Sequence, residues 1–149
     1  MKATPLRKLK SYLQASGYFQ SVTIGEPTDP PAGAHGAVML ATNTHPSTTL
    51  NGTMERRTVM LRFYRKAFQG DVEAENTEIW MDEVVAKIQE DLFGDFDIGA
   101  NIKAIYPAQM ETRFGYQEIG RQAGSGGIVY RLAEIAVPMD IDDSAVYAA

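Results

Sequence analysis

The segment between positions 55 and 68 constrains this chain most. There Val59, Leu61 and Phe63 alternate with Met60, Arg62 and Tyr64, a period of two that sorts apolar from mixed side chains only in an extended strand. A strand needs hydrogen-bonded neighbours, and a single apolar face needs a covering layer. The segment therefore excludes an all-helical fold and demands a sheet packed against something else. At 149 residues, one domain with one core is expected.

Two helices supply the cover. Residues 5–16 open with Thr4 as a cap and Pro5 at the first helical position, and Gly17 stops the run. Leu6, Leu9 and Leu13, with Tyr12 beside them, form its buried stripe, while Arg7, Lys8 and Lys10 face water. A second helix is predicted over 72–93, because Met81, Val84, Val85, Ile88 and Leu92 recur at helical spacing, with Asp82, Glu83, Glu90 and Asp91 opposite. Asp71, Glu73 and Glu75 suit the positive end of its dipole, Gly94 ends it, and Trp80 is placed to bridge core and rim.

Further strands are predicted over 18–24, 37–42, 102–106, 112–120 and 128–137. The prolines of 26–33 remove ladder donors and make that stretch an exposed loop. Residues 43–53 are polar and turn-rich, and read as an eleven-residue loop carrying an extended hairpin arm. Residues 121–127 read as a flexible hairpin loop. The order α-β-β-β-α-β-β-β gives an α+β two-layer domain: a largely antiparallel or mixed sheet of five to six strands packed with two helices. The domain spans 1–138, followed by a loosely held acidic tail at 139–149.

Composition narrows the setting. Apolar residues make up 44% and charged residues 22%, and cysteine is absent, which removes disulfides, thiolate metal sites and cysteine nucleophiles and suits a reducing cytoplasm. No apolar run approaches membrane-spanning length and the N-terminus lacks a signal-peptide core. Asn51-Gly52-Thr53 matches a glycosylation sequon but reads as a turn. The net charge of −5 conceals a polarity: residues 1–70 carry nine Lys/Arg against three acids, residues 71–149 five against sixteen. Such halves are either solvated faces on separate elements or complementary surfaces that dock copy to copy.

Catalytic and cofactor patterns fail. His35 and His45 lie in Gly/Pro/Thr-rich stretches expected to be loops, and no Gly-x-Ser-x-Gly surrounds Ser47 or any other serine. Residues 123–127 are glycine-rich but lack the lysine and following helix of a phosphate loop. Asp140, Asp142 and Asp143 lack the glycine and bidentate glutamate of a calcium loop, and Glu111 and Glu118 have no basis as an acid/base pair. No catalytic residue, metal or cofactor is expected. Arg56, Arg57, Arg62, Arg65 and Lys66, interleaved with Phe63, Tyr64 and Phe68, resemble a nucleic-acid strand face. The chain's acidity argues against that, and a core should bury the face of Val59, Leu61 and Phe63, leaving Arg62, Tyr64 and Lys66 as an exposed row that is an interface or a solvated face.

Residues 6–27, and within them Ser16-Gly17-Tyr18-Phe19 leading to Gly25-Glu26-Pro27, resemble the opening of tail terminator proteins of siphophages, especially those infecting actinobacteria. The β arm after 50, the helix ending Asp91-Leu92-Phe93-Gly94-Asp95-Phe96 and the strand Ile135-Ala136-Val137-Pro138-Met139-Asp140 fit the same family in order. The resemblance implies a non-enzymatic virion protein at the tail–neck junction, assembled in the host cytoplasm. It would form a hexameric ring of itself that caps the tail tube protein, stops its polymerisation and meets the head-completion protein. No membrane and no sequence-specific nucleic acid would be involved, although DNA would pass through the ring. The alternatives are another neck component, such as a head–tail adaptor or head-completion protein, or a small accessory enzyme or ligand-binding domain. Candidate contacts are Arg56, Arg57, Arg62, Tyr64 and Lys66 on the arm, Asp82, Glu83 and Glu90 on the second helix, and the 26–33 and 121–127 loops.

Overall fold

A computed structural model describes residues 5–49, 52–67, 70–93, 102–105, 109–120 and 127–142. The elements run α1 (Pro5–Ala15), β1 (Ser21–Ile24), β2 (His35–Thr49), β3 (Gly52–Lys66), α2 (Asp71–Phe93), β4 (Ile102–Ile105), β5 (Glu111–Ile119) and β6 (Ile128–Asp142). This is the expected α+β order, with two helices on a mixed six-stranded sheet. Thr4 and Gly94, expected to cap and end the helices, lie outside the described residues. Gly17 does end α1, at a φ of 83° that costs glycine little. Among the described residues no helix is long and apolar enough to cross a membrane.

Strand β6 is the spine of the sheet. Along one edge it pairs antiparallel with β3 without interruption from Met54↔Asp142 to Lys66↔Tyr130. Its other edge is divided between β5, which pairs Glu111↔Ala136 through Ile119↔Ile128, and β4, which pairs beside Met139 and Ile141. Residues facing one another across a ladder share a face, so Val59, Leu61 and Phe63 line up with Ala133, Ile135 and Val137. Both helices cover that face. Leu9 and Leu13 of α1, and Met81, Val84, Ile88 and Leu92 of α2, close the main core at 0–2% exposure, as their spacing predicts. Trp80 bridges to the rim, edge-to-face with Phe19 at 6.0 Å and beneath the Arg65 guanidinium at 5.6 Å.

The other face holds a second, smaller core. Strand β1 runs parallel to β2, from Ser21↔His35 to Ile24↔Val38, so the chain must travel back across the sheet between them. Residues 25–34 make that return on the face without helices. They bring Pro31 into burial and close over Ala37, Tyr64, Ile119, Tyr130 and Leu132. The Tyr130 hydroxyl donates to the Pro31 carbonyl at 2.6 Å. Gly120, at a φ of 82°, lies so near Pro30 that an added Cβ would sit 2.4 Å from its Cγ. The proline-rich stretch is the largely exposed loop its composition predicts, with Glu26, Thr28, Asp29, Pro30 and Ala32 open to solvent, but Pro31 pins it to the sheet as a strap.

Three further expectations are corrected. Residues 43–53 are mostly strand: β2 and β3 pair out to Thr49↔Gly52, with register shifts at Leu40/Thr42 and Thr44/Ser47. His35 and His45 therefore lie in β2 and not in loops, and Gly52 and Thr53 of the sequon lie in β3, while Asn51 falls outside the described residues. Strand β6 also runs past Val137 to Asp142, so residues 139–142 belong to the sheet and not to a tail, and Met139 is fully buried. Residues 143–149 lie outside the described residues.

Candidate interaction surfaces

The arginines of β3 are held by acids of the same chain. Arg56 faces Asp140 across the β3–β6 ladder, with Nε 2.9 Å from Oδ1 and Nη2 3.4 Å from Oδ2. On the opposite face, Arg57 Nε donates to Glu55 Oε1 at 2.8 Å, and Glu55 is only 5% exposed. Arg62 stands between Glu134, 2.9 Å away, and Glu26 of the strap, 3.4 Å away. Arg65 reaches the Asn76 carbonyl at 3.5 Å and Glu73 at 4.0 Å. The charge polarity of the sequence is real along the chain but folds onto itself, because β3 pairs with the acidic β6.

Tyr64 is no contact residue. Expected in an exposed row with Arg62 and Lys66, it is fully buried beneath the strap, 6.4 Å from the Tyr130 ring centre and perpendicular to it. Its hydroxyl finds no aligned hydrogen-bond partner although Arg62 lies beside it, and burial pushes its pKa up. Lys66 is half-buried and, among the described residues, makes no ion pair. It stands in the wall of two clefts. One of about 490 Å³ lies against the start of α2, with Tyr116, Thr77 and Arg131 around it. The other, of about 340 Å³, is lined by Tyr18, Gln20, Arg65 and Trp80.

On α2, Asp82, Glu83 and Glu90 project into solvent as their spacing predicts. Asp91, on the flank toward α1, accepts from the Tyr12 hydroxyl and lies 3.1 Å from Lys87. Burial first, then this carboxylate, raises the Tyr12 pKa. The same hydrogen bond lowers that of Asp91. Of the 121–127 loop only Gly127 is described, with its amide donating to Glu118 at 3.0 Å.

The sequence reading missed the opposite flank of α2. Arg131 of β6 reaches Glu78 at 2.5 Å and the Gly115 carbonyl at 2.9 Å, with its guanidinium 4.8 Å from the Tyr116 ring centre and 5.9 Å from that of Phe114. Gln89 donates to Thr112 Oγ1 at 2.7 Å. Phe114 and Tyr116 remain 53% and 60% exposed. The i, i+2 spacing of two aromatics beside Gly115 was the available signal.

His35 is buried, 2% exposed. Nδ1 lies 2.6 Å from Ser21 Oγ, and Nε2 lies 2.9 Å from Thr23 Oγ1. Thr23 gives its own proton to the Gly25 carbonyl, so it accepts from Nε2–H and leaves Nδ1 to accept from Ser21. The ring is satisfied while neutral, and burial lowers its pKa. The third partner is a hydroxyl and not the carboxylate that would stabilise an imidazolium in a serine-histidine-acid triad. Among the described residues no cluster of acids and histidines is arranged to hold a metal. Compared with models of known families and with curated protein sequences, the chain matches none.

Proposed function

We propose that this chain is a structural protein of a phage virion, a tail terminator. Copies of it form a six-membered ring on the end of the tail tube, stop further addition of tube subunits, and offer the opposite side of the ring to the head-completion protein. The role is one of assembly and not of catalysis, and it belongs to the tail–neck junction of the particle.

The observation that carries this reading is the β2–β3 arm. Each strand is fifteen residues long, yet β1 covers β2 only from His35 to Val38. From Met39 to Thr49, β2 presents an edge with no neighbouring strand among the described residues. So long an open edge pairs indiscriminately unless a neighbour or bulges protect it, and the two register shifts in the arm act in the same sense. A closed ring is a further protection, since each arm then lies against a fixed partner. The resemblance of residues 16–27 to tail terminators points the same way.

The test is light scattering and electron microscopy of the full chain, alone and with polymerising tail tube subunits. Rings bound at tube ends, together with tubes of limited length, are the expected result. Tubes that grow to the same length with and without the protein would refute it. Binding to the head vertex and not to tube ends would favour a head–tail adaptor.

A further inference from the structure

The two lateral ends of the helix-bearing face differ in charge, and both carry uncovered apolar side chains. Helix α1 packs on β1 and β2 at one end. It contains no acid, turns Lys8 to solvent and keeps Lys10 half-buried, and neither lysine has an ion pair among the described residues. Ile24 of β1 is 44% exposed at that same end. Helix α2 packs on β3 and β6, where Glu78 holds Arg131, and touches β5 through the Gln89–Thr112 hydrogen bond. Asp82 lies on the same helical stripe between Glu78 and Gln89, exposed and without an ion pair among the described residues. Beyond it stand Phe114 and Tyr116, on an edge strand whose outer side carries no neighbour among the described residues.

The arginines of β3 are neutralised within the chain, whereas Lys8, Lys10 and Asp82 of the helices have no ion pair among the described residues and are available to meet a partner. We propose that copies of this chain associate side by side, with Lys8, Lys10 and Ile24 of one copy against Asp82, Phe114 and Tyr116 of the next. The occupant is a second copy because the two ends complement one another in charge and both expose apolar area. The surfaces are different, so the contact is heterologous and repeats about an axis. The proposal rests on the ring reading and gives it a contact.

Two variants of the full chain test it: Lys8→Glu with Lys10→Glu, and Asp82→Lys with Glu75→Lys. Lys8, Glu75 and Asp82 are exposed and Lys10 is half-buried, and circular dichroism checks that the fold is kept. By sedimentation velocity over a concentration series the unaltered chain is expected to associate. Each variant alone is expected to associate at least ~10-fold more weakly, because every contact then sets like charges together. Mixed one to one, the variants are expected to associate again, since each end now meets its opposite. Variants that associate as tightly as the unaltered chain, or a mixture that fails to recover, would overturn this contact. An unaltered chain that stays monomeric yet caps tube ends would overturn the contact and leave the terminator reading standing. One that does neither would overturn both.

Discussion

Replacing Tyr130 by phenylalanine removes one oxygen from the second core. That hydroxyl is the donor to the Pro31 carbonyl at 2.6 Å, inside a site where Tyr130 is fully buried. The substitution keeps the ring and its packing but leaves a buried carbonyl without a donor, which costs about 1–3 kcal/mol. Taking about 2 kcal/mol, the folded-to-unfolded ratio falls roughly 30-fold, and the melting temperature of a chain this size falls by about 4–8 °C. Tyr64→Phe is the matched control. It removes a hydroxyl from the same core, but one that has no aligned partner, so a desolvation cost is relieved and stability should be unchanged or rise by up to about 1 kcal/mol. Urea titration followed by circular dichroism measures both. Cleavage after Glu26 by a glutamate-specific protease reports on the strap alone, and should accelerate in Tyr130→Phe and not in Tyr64→Phe. Equal losses in the two variants, or a Tyr130→Phe protein within about 0.5 kcal/mol of the unaltered chain, would refute the idea that this hydrogen bond fastens the strap.

Two other outcomes follow from the same face. Burial lowers the folded-state pKa of His35 below its unfolded value of 6.5, so the unfolded chain binds the proton first. The contribution is intact above about pH 6.5 and is lost as pH falls toward the folded pKa. The urea midpoint should decline over that window, and His35→Asn should flatten the decline; an unchanged slope would assign it elsewhere. Gly120→Ala and Gly17→Ala both force a side chain into a positive φ, but only Gly120 would meet Pro30 while Gly17 faces open space. Gly17→Ala should cost about 1 kcal/mol and Gly120→Ala more than that. Equal melting temperatures for the two would mean that Pro30 yields freely.

What could be read from the sequence was what a core imposes on it. The stripes Leu9–Leu13 and Met81–Leu92, and the alternation at Val59–Phe63, each face the main core and so carry its period. Residues 43–49 escaped because β2 there runs in the arm, past the strand that covers its start, where polar side chains break no rule of burial. Tyr64 was misjudged because its cover comes from residues 25–34, and nothing local to β3 records that a parallel β1–β2 pair sends the chain back over that face. The charge polarity misled in a different way. Register is a three-dimensional fact, and only the pairing of β3 with β6 sets Arg56 beside Asp140 and Arg62 beside Glu134.

The place of β6 in the sheet also bears on how the protein comes to exist. A ribosome releases the chain in order, so β3, β4 and β5 emerge before the strand that all three pair with. Until residues 128–142 are made, β3 has no partner on that edge, and the apolar row Val59, Leu61 and Phe63 has a neighbouring strand only on its β2 side. Such distant pairings give a high contact order and folding on the slow side, in milliseconds to seconds. The sheet thus closes late in synthesis, and the nascent chain passes through an interval in which its own future centre is an open seam, the kind of species that chaperones guard.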